Sequence, residues 1–341
     1  MSTSIRLAID VMGGDFGPRC IIPAVARSLQ STPDLQVILV GSSEPVSQLC
    51  QQYQLPPDRF QLVPTTEVIL ADDPPASVLR GKKDASMRVA IEQVRDGHAD
   101  GCLSAGNTGA LMVLSRALLG TLPGIERPAI MAALPVAGRS CFLLDLGANV
   151  DCSARQLLEF AIMGSEAASE ITGVERPRVA LLNIGSEVNK GSHIVREAAQ
   201  LLRDCNLVNY IGHIEGDGLF RGDADVVVCD GFVGNVVLKA SEGLAGYLQG
   251  EIRNALGSSL LLRCLSPFLR GALKPMIQRH DPGAYNGASL LGLKGVVVKS
   301  HGNADEKAFH AAIQQTLRIS RAGLPQRISA RLATLDWPAK C

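Results

Sequence analysis

Short apolar runs that end in glycine-rich turns recur along the chain and constrain its fold more than any other feature. Runs without polar alternation are typical of strands buried on both faces, and their alternation with helix-like stretches indicates a parallel sheet. Because ligands bind at the carboxyl ends of parallel strands, we expect the turns to converge on one cleft. Six runs carry this pattern, and they begin at Leu7, Gly101, Phe142, Val179, Val226 and Val296.

Composition narrows the class of protein. The chain has 341 residues, enough for a large core in one unit or in two lobes around a cleft. Lys and Arg number 33, as do Asp and Glu, and this balance argues against a general nucleic-acid binder, which needs a basic surplus. The nine cysteines form no C-x-x-C pair, which suits reduced thiols in the cytoplasm. We find neither a signal segment nor an apolar stretch long enough to span a bilayer.

Helices are predicted between the apolar runs. Ser153 and Gln156 have the spacing of a capping box at the start of a long amphipathic helix. Irregular structure is expected over 55–73 and over the Pro/Gly-rich stretch 122–135. The predicted helices cover 19–29, 84–94, 108–119, 153–171, 192–202, 235–248 and 305–321.

One stretch, 255–279, departs from this alternation. It mixes leucines with Arg263, Arg270, Lys274 and Arg279, and Pro267 with a following glycine would divide it into two short helices. A basic amphipathic segment of this kind can lie on an anionic membrane surface. A helical hairpin in a dimer interface, or over the core, is the alternative that the residues alone favour, because apolar stripes are usually buried.

Two of the turns offer groups that bind anions. The first turn, Asp10-Val-Met-Gly-Gly-Asp-Phe-Gly-Pro18, combines two carboxylates with glycines whose N–H groups can approach an anion. Its alternative is a tight turn in which Asp15 caps the next helix. The second, Ser104-Ala-Gly-Asn-Thr-Gly109, presents backbone donors, an amide and a hydroxyl where a helix begins, which suits phosphate or an oxyanion. The alternative here is an Asn or Thr helix cap, and Asn149 has the same ambiguity.

Three cationic or titratable side chains follow later strand runs. Lys190 lies in a glycine-rich turn, where a lysine can neutralise an anion, and Lys239 follows the turn that begins at Asp230. His301 follows the last run, a position that favours proton transfer or anion binding, and a buried hydrogen-bonded histidine is the alternative. A solvated surface role is the alternative for each lysine.

Several catalytic motifs are absent from the sequence. It has no G-x-S-x-G elbow, no H-E-x-x-H zinc motif, no P-loop and no G-x-G-x-x-G fingerprint. The groups that are present favour positioning a phosphate-like anion and stabilising charge over forming a covalent intermediate.

Taken in order, these motifs resemble the PlsX family, the phosphate acyltransferases of bacterial phospholipid synthesis. The resemblance runs from the first strand to about residue 320 and includes Leu144-Asp-Leu-Gly-Ala-Asn-Val-Asp151, Leu182-Asn-Ile-Gly-Ser-Glu187, Cys229-Asp-Gly-Phe-Val-Gly-Asn235 and Gly287-Ala-Ser-Leu-Leu-Gly292. It implies a single three-layer α/β/α unit over 1–341, with a mostly parallel sheet like that of isopropylmalate dehydrogenases and phosphate acetyltransferases.

The resemblance also implies the reaction and its partners. An acyl group would pass from acyl-[acyl carrier protein] to inorganic phosphate, and the acyl phosphate would supply an acyl-phosphate:glycerol-3-phosphate acyltransferase. It implies a homodimer with peripheral membrane contact through 255–279, in the cytoplasm, without a metal or other cofactor and without nucleic acid. An acyl-CoA phosphotransacylase and a membrane-docked scaffold are the alternatives.

Site residues are assigned by combining the turns with this resemblance. Four are predicted to be catalytic, namely Lys190, Asn235, Asn107 and His301. Phosphate or substrate contacts are predicted for Asp10, Gly13, Gly14, Asp15, Ser104, Gly106, Thr108, Gly109, Asn149, Asn183, Gly185, Asp230, Gly231, Gly234 and Lys239.

The chain departs from the family pattern at a few positions. It reads Gly212-His-Ile-Glu-Gly216 where Gly-Asn-Ile-Glu-Gly is usual, Tyr285-Asn-Gly287 where Tyr-Gly-Gly is usual, and Asp84-Ala-Ser86 where Asp-Ser-Ser is usual. Asn189-Lys-Gly191 replaces an acidic-x-Lys-Gly pattern. These positions bear on acyl-chain preference and fine positioning.

Overall fold

A computed structural model describes residues 4–136, 139–257 and 286–334. The strands are β1 (Ile5–Asp10), β2 (Leu35–Gly41), β3 (Phe60–Pro64), β4 (Gly101–Ser104), β5 (Ala129–Val136), β6 (Arg139–Leu144), β7 (Arg178–Leu182), β8 (Asn209–Ile214), β9 (Val226–Val228), β10 (Ala288–Leu291) and β11 (Val296–Lys299). The helices are α1 (Pro18–Ser31), α2 (Ser43–Gln52), α3 (Pro75–Arg80), α4 (Ser86–Arg95), α5 (Thr108–Leu119), α6 (Ala154–Thr172), α7 (His193–Cys205), α8 (Gly218–Arg221), α9 (Gly231–Gly257), α10 (Glu306–Arg321) and α11 (Leu324–Leu332).

All described strands belong to one sheet, in the order β3-β2-β1-β4-β11-β10-β5-β6-β9-β7-β8. Seven of the ten pairings between them are parallel, which confirms the mostly parallel sheet. The six apolar runs correspond to β1, β4, β6, β7, β9 and β11, as their continuous hydrophobicity predicts. Each of the seven predicted helices is also present, and the reciprocal Ser153–Gln156 capping box starts α6.

Helices cover both faces of the sheet, so the fold has the expected three layers. One core cluster joins the sheet to α1, α6, α10 and α11 through side chains such as Ile22, Phe160, Phe309 and Ile328. The second cluster joins the other face to α4 and α5. The strand cysteines Cys102, Cys141 and Cys229 are free and buried in these layers, as expected, and burial raises the pKa of the Cys141 thiol to about 12.

The expectation of irregular structure over 122–135 is confirmed for 122–128 and wrong from Ala129 onward. β5 occupies Ala129–Val136 and pairs with β6 and β10 in the middle of the sheet. Pro135 misled the pattern. It lies beyond the Ala129–Met131 segment that pairs with β10, so β5 is paired only with β6 at this position, as an edge strand would be, and a proline is tolerated there. β3 similarly occupies part of the stretch 55–73.

The sheet has two halves of opposite direction. β1 to β4 and β11 are mutually parallel, and so are β6 to β9. The antiparallel pairings of β5 and β10 reverse the direction between them. The carboxyl ends of β1, β4 and β11 therefore point to one edge of the sheet, and those of β6, β7 and β9 point to the other. The prediction that all six turns share one edge is wrong for this reason.

The amphipathic stretch 255–279 lies almost entirely outside the described residues, and only 255–257 are seen, at the end of α9. Among the helices that the structure describes, none combines the length and the apolar character needed to cross a bilayer.

Candidate functional site

A cavity of about 700 Å³ lies between the sheet and α5, α8 and α9. Its volume falls within the range of about 300–1,000 Å³ that is usual for small-molecule sites. Most of its wall is apolar, contributed by Met112, Val113, Ile130, Ala132, Leu134, Leu146, Phe220, Leu238 and Ala245. Its polar side chains are Thr108, Asn235, Lys239, Ser241, Glu242, Lys299, Ser300 and His301.

The cavity crosses the face of the sheet from one set of turns to the other. At one end lie Lys299 and His301, after β11, together with Thr108 at the start of α5. The turn after β6 lines the same cavity, and a Cβ placed on Gly147 would be 3.6 Å from the Asn235 side chain. α9 covers the distance between them, since Asn235 and Glu242 are seven residues apart, or roughly 10 Å along a helix. Four of the six predicted turns thus contribute to one cavity, although they do not share an edge.

The first turn supports the cavity without lining it. Asp10 is buried, and its carboxylate accepts hydrogen bonds from the hydroxyls of Ser86 and Ser104, each at 2.7 Å. Ser104 in turn accepts from the N–H of Gly106 at 3.0 Å. Burial raises the pKa of Asp10, and the hydrogen bonds oppose this shift. Asp10 and Ser104 therefore hold the turns after β1 and β4 together.

Glycines allow these two turns to touch. A Cβ on Gly13 would lie 2.7 Å from the Gly106 nitrogen, so only glycine fits there. Gly14 has φ +82° and passes close to Gly302, whose carbonyl accepts a hydrogen bond from the Asp15 N–H at 2.8 Å. Asp15 does not cap α1, since Gly17 occupies the N-cap position without a side-chain bond.

Asn107 caps the N-terminus of α5, which was the alternative to an anion-binding role. Its side-chain oxygen accepts from the N–H of Ala110 at 3.0 Å, and its amide nitrogen donates to the Ala71 carbonyl at 2.8 Å. Thr108 and Gly109 line the cavity, whereas Asn107 does not. An oxyanion role for Asn107, which stays a prediction, would require its amide to release Ala71.

The turn after β6 is built around a buried carboxylate. Asp145 accepts hydrogen bonds from the N–H groups of Ile130 at 2.8 Å and Asn149 at 2.6 Å, and burial raises its pKa. The Asn149 amide is itself buried and donates to the Pro128 carbonyl at 2.8 Å, so this side chain is directed into the protein.

Two glycines and Asp230 pack the start of α9 against this turn. The N–H of Gly231 donates to the Asn149 carbonyl at 2.7 Å, and a Cβ on Gly234 would lie 1.9 Å from the Asp145 carbonyl oxygen. Asp230 accepts from the N–H of Val233 at 2.9 Å. This close packing sets Asn235 against Gly147 in the cavity wall.

The turn after β7 lies apart from the cavity. Lys190 is exposed and does not line the wall, and the Asn183 amide donates to its carbonyl at 3.1 Å. Gly185 belongs to the same turn and packs against the Lys190 side chain. The sheet order gives the reason, because β9 separates β7 from β6. The structure therefore does not bring Lys190 together with Asn107 or His301.

Lys299 is a cavity residue that the sequence predictions missed. Its ammonium donates to the Ala105 carbonyl at 3.2 Å and to the Ser300 carbonyl. Desolvation lowers its pKa to about 8, and the Asp10 charge only partly opposes this shift. The available signal was a lysine that closes the apolar run Val296–Lys299, where a buried strand meets its turn.

His301 lies beside two residues of α9. Its Nε2 is 3.9 Å from Glu242 Oε1, and Glu242 also accepts a hydrogen bond from Lys239 at 2.8 Å. Desolvation lowers the pKa of His301, the Glu242 charge opposes this, and the charges of Lys299 and Lys239 reinforce it.

Asn286, one of the departures from the family pattern, fixes the chain around Ser300 and His301. Its amide donates to the Ser300 hydroxyl at 2.8 Å and to the Ala308 carbonyl at 2.9 Å, and its oxygen accepts from the His301 N–H at 3.0 Å. Sequence reasoning noted the position without predicting this role. Over the residues described, no cluster of His, Cys, Asp and Glu is arranged to hold a metal ion.

Comparisons with known proteins agree with this architecture. Residues 5–327 match the family model described as "Fatty acid synthesis protein". The chain is 52% identical over 330 residues to a phosphate acyltransferase of Pseudomonas syringae pv. syringae, covering 96% of this chain and 97% of that protein. It is 50% identical over 336 residues to a phosphate acyltransferase of Alkalilimnicola ehrlichii, covering 98% of each.

Solved structures share the fold at low identity. A phosphotransacetylase from Streptococcus pyogenes superimposes with a TM-score of 0.61 at 20% identity, over 94% of this chain and 95% of that one. A branched-chain phosphotransacylase from Enterococcus faecalis V583 gives a TM-score of 0.59 at 18% identity, over 92% and 99%. The sequence matches, which span nearly the whole chain, show that it is an acyltransferase and belongs to the PlsX family of phosphate acyltransferases.

Proposed function

We propose that this protein transfers a long-chain fatty acyl group from acyl-[acyl carrier protein] to inorganic phosphate and so makes an acyl phosphate. The observation that carries this proposal is the cavity, which joins a long apolar wall to polar side chains that include Lys239 and Lys299. An acyl chain suits such a wall, since burial of each CH₂ contributes about 0.8 kcal/mol. Family membership supports the same reaction class.

The reaction needs positioning more than covalent help from the protein. A phosphate oxygen attacks the thioester carbonyl carbon, the C–O bond forms, and the C–S bond breaks with its electron pair on sulfur. The proton of hydrogen phosphate ends on the thiol that leaves. Preorganised donors aimed at the developing oxyanion supply the main stabilisation in such acyl transfers.

Asn235 is the best-placed side-chain donor for that oxyanion. It lines the cavity, and the packing of Gly234 and Gly147 around it restricts where its amide can lie. Lys190, the phosphate-neutralising residue proposed from the sequence, lies in an exposed turn outside the cavity wall, so it would have to reach phosphate from outside that wall. His301 lines the cavity and is a proposed positioning group for phosphate.

The proposed acyl donor is an acidic carrier protein, so basic side chains near the cavity should receive it. α3 begins at Pro75, which lines the cavity, and Arg80 ends the same helix. Lys83 is exposed nearby, whereas Lys82 pairs with Asp73. We therefore assign docking of the carrier protein to Arg80 and Lys83 before Lys82.

A homodimer with peripheral membrane contact in the cytoplasm completes the proposal. α9 exposes Leu244, Tyr247, Leu248 and Ile252 as it leads into 255–279. Apolar side chains of this size on one helix need a partner surface, either a second copy or a lipid interface. The acyl phosphate would then pass to an acyl-phosphate:glycerol-3-phosphate acyltransferase at the membrane.

Mass-spectrometric detection of acyl phosphate tests the reaction. The protein is mixed with palmitoyl-carrier protein and phosphate, with phosphate omitted as the control and palmitoyl-CoA in a parallel reaction. Phosphate-dependent acyl phosphate from the carrier protein is the expected result. Product from CoA alone would replace the donor in the proposal, and no product from either thioester over several chain lengths would overturn the reaction. Liposome flotation without turnover would then favour a scaffold.

A further inference from the structure

We propose that Lys299 binds the phosphate substrate, at the end of the cavity formed by the turns after β4 and β11. This assignment rests on the proposed function, and it names a residue and an end of the cavity for phosphate. It differs from the assignment by sequence, which relied on Lys190 as the cation.

The hydrogen bonds of Lys299 leave a donor for a ligand. An ammonium group carries three N–H donors. The carbonyls of Ala105 and Ser300 accept two of them and hold the group at the junction of two turns. Both acceptors are neutral, and the hydrogen bonds described for Lys299 include no carboxylate. The third donor and most of the positive charge therefore remain for an anion in the cavity.

The start of α5 lies at the same end of the cavity. Thr108 and Gly109 are its first two helical residues, and both line the wall. The first N–H groups of a helix have no intrahelical acceptor and favour an anion. Phosphate between Lys299 and these N–H groups would meet donors from two directions.

Charges of both signs surround Lys299. Asp10 and Asp15 act on Lys299 from the first turn, while the Asp10 carboxylate is already occupied by the Ser86 and Ser104 hydroxyls. The Lys239 charge adds positive potential from α9, and Glu242 is the one acidic group in the cavity wall as described. Glu242 accepts from Lys239, so it is engaged before phosphate arrives.

Lys190 lacks this setting. It is exposed, it lies outside the cavity wall, and its turn follows a strand that points to the opposite edge of the sheet. An exposed lysine screened by solvent attracts an anion more weakly than one in a desolvated wall.

Two measurements test the assignment. Binding of inorganic phosphate is measured calorimetrically without thioester, and the KM for phosphate and for palmitoyl-carrier protein are measured separately. The variants are Lys299→Met, Lys299→Arg and Lys190→Met. Lys294→Met is the matched control, since Lys294 is an exposed lysine just before the same strand and outside the cavity. Circular dichroism establishes that each variant is folded.

We expect Lys299→Met to raise the KM and the Kd for phosphate by roughly 10- to 100-fold, the scale of a lost charge-assisted hydrogen bond. The KM for palmitoyl-carrier protein should stay within a factor of about 2 of the wild-type value. Wild-type phosphate affinity should fall as pH rises through about 8, and Lys299→Arg should move that fall to higher pH because its guanidinium stays protonated.

Unchanged phosphate binding by folded Lys299→Met, or a larger rise in phosphate KM for Lys190→Met, overturns the assignment while leaving the acyl transfer intact. A wild-type protein that makes no acyl phosphate from any thioester contradicts the proposed function instead. The two failures are thus distinguishable.

Discussion

Replacing Gly234 by alanine should destabilise the protein and disturb its cavity at the same time. Gly234 lies in the first turn of α9, and a Cβ there would be 1.9 Å from the Asp145 carbonyl oxygen and 3.0 Å from Cys229 Sγ. Ordinary contacts begin near 3.4 Å, so the helix or the turn after β6 must move by more than 1 Å. Overpacking of this severity costs about 3 kcal/mol.

The helix propensity of alanine offsets part of that cost. Gly→Ala inside a helix contributes about 1 kcal/mol, which leaves a net loss of about 2 kcal/mol for Gly234→Ala. At about 2 °C per kcal/mol for a chain of this size, the Tm should fall by about 4 °C. Turnover should fall as well, because Asn235 is the next residue.

Gly243→Ala is the matched control within the same helix. A Cβ on Gly243 would meet no atom within 4 Å, so only the propensity gain applies and the Tm should rise by about 2 °C. Differential scanning fluorimetry of both variants, with phosphate-dependent thioester cleavage followed by thiol release, measures both effects. If Gly234→Ala melts as high as Gly243→Ala with full turnover, the tight packing of α9 on the turn is refuted.

Four further outcomes are expected. Asn235→Ala should lose about 100-fold or more in kcat, the scale of one deleted oxyanion donor, in a steady-state thiol-release assay; a near wild-type kcat in a folded variant would exclude it from the site. Ser153→Ala should lower the free energy of unfolding by about 1 kcal/mol in urea titrations, because it removes the cap accepting from the Gln156 N–H at 3.2 Å, and no change would contradict the capping box. Above pH 8 the folded state releases the Lys299 proton while the unfolded state keeps it, so wild-type Tm should gain on that of Lys299→Met from pH 7 to pH 9, with no such trend for Lys294→Met. Raising salt from 50 to 500 mM should raise the KM for carrier protein if basic side chains dock it, and a flat KM would count against that docking.

The strands and helices that the sequence predicted share a strong local signal. β4 and β9 are apolar at nearly every position and buried on both faces, and α5 begins and ends at the predicted residues. β5 escaped prediction because Pro135 and the nearby glycines resemble a loop, and its strand character depends on pairing with β6 and β10. Such pairing joins distant parts of the chain, so local pattern does not contain it.

The predicted site residues lie in or near turns, as expected, and their proposed roles stay predictions. Asp10, Asn107 and Asn149 lie in the expected turns, yet their side chains hold those turns together. The sequence pattern of a polar side chain at a strand end is the same whether that side chain faces a ligand or a neighbouring turn. Lys299 was not predicted as a site residue, because only the structure shows that its side chain lines the cavity.

Strand direction separated residues that the sequence had grouped. The order of motifs along the chain carries no information on whether two halves of a sheet run the same way. Only the three antiparallel pairings, β11 with β10, β10 with β5 and β5 with β6, reveal that the turns after β7 and β11 face opposite edges. The sequence predictions placed Lys190 and His301 in one cluster because this reversal was not visible to them.

A continuous helix, α9, forms one wall of the cavity, and this arrangement has a mechanical consequence. A helix moves as a stiff rod, so a force on its outer surface is transmitted along its length. Asn235 and Glu242 both line the cavity from this helix, and Tyr247 and Ile252 lie on its exposed continuation. A partner surface that displaced this continuation would therefore also displace the two cavity residues, because all of them belong to one helix.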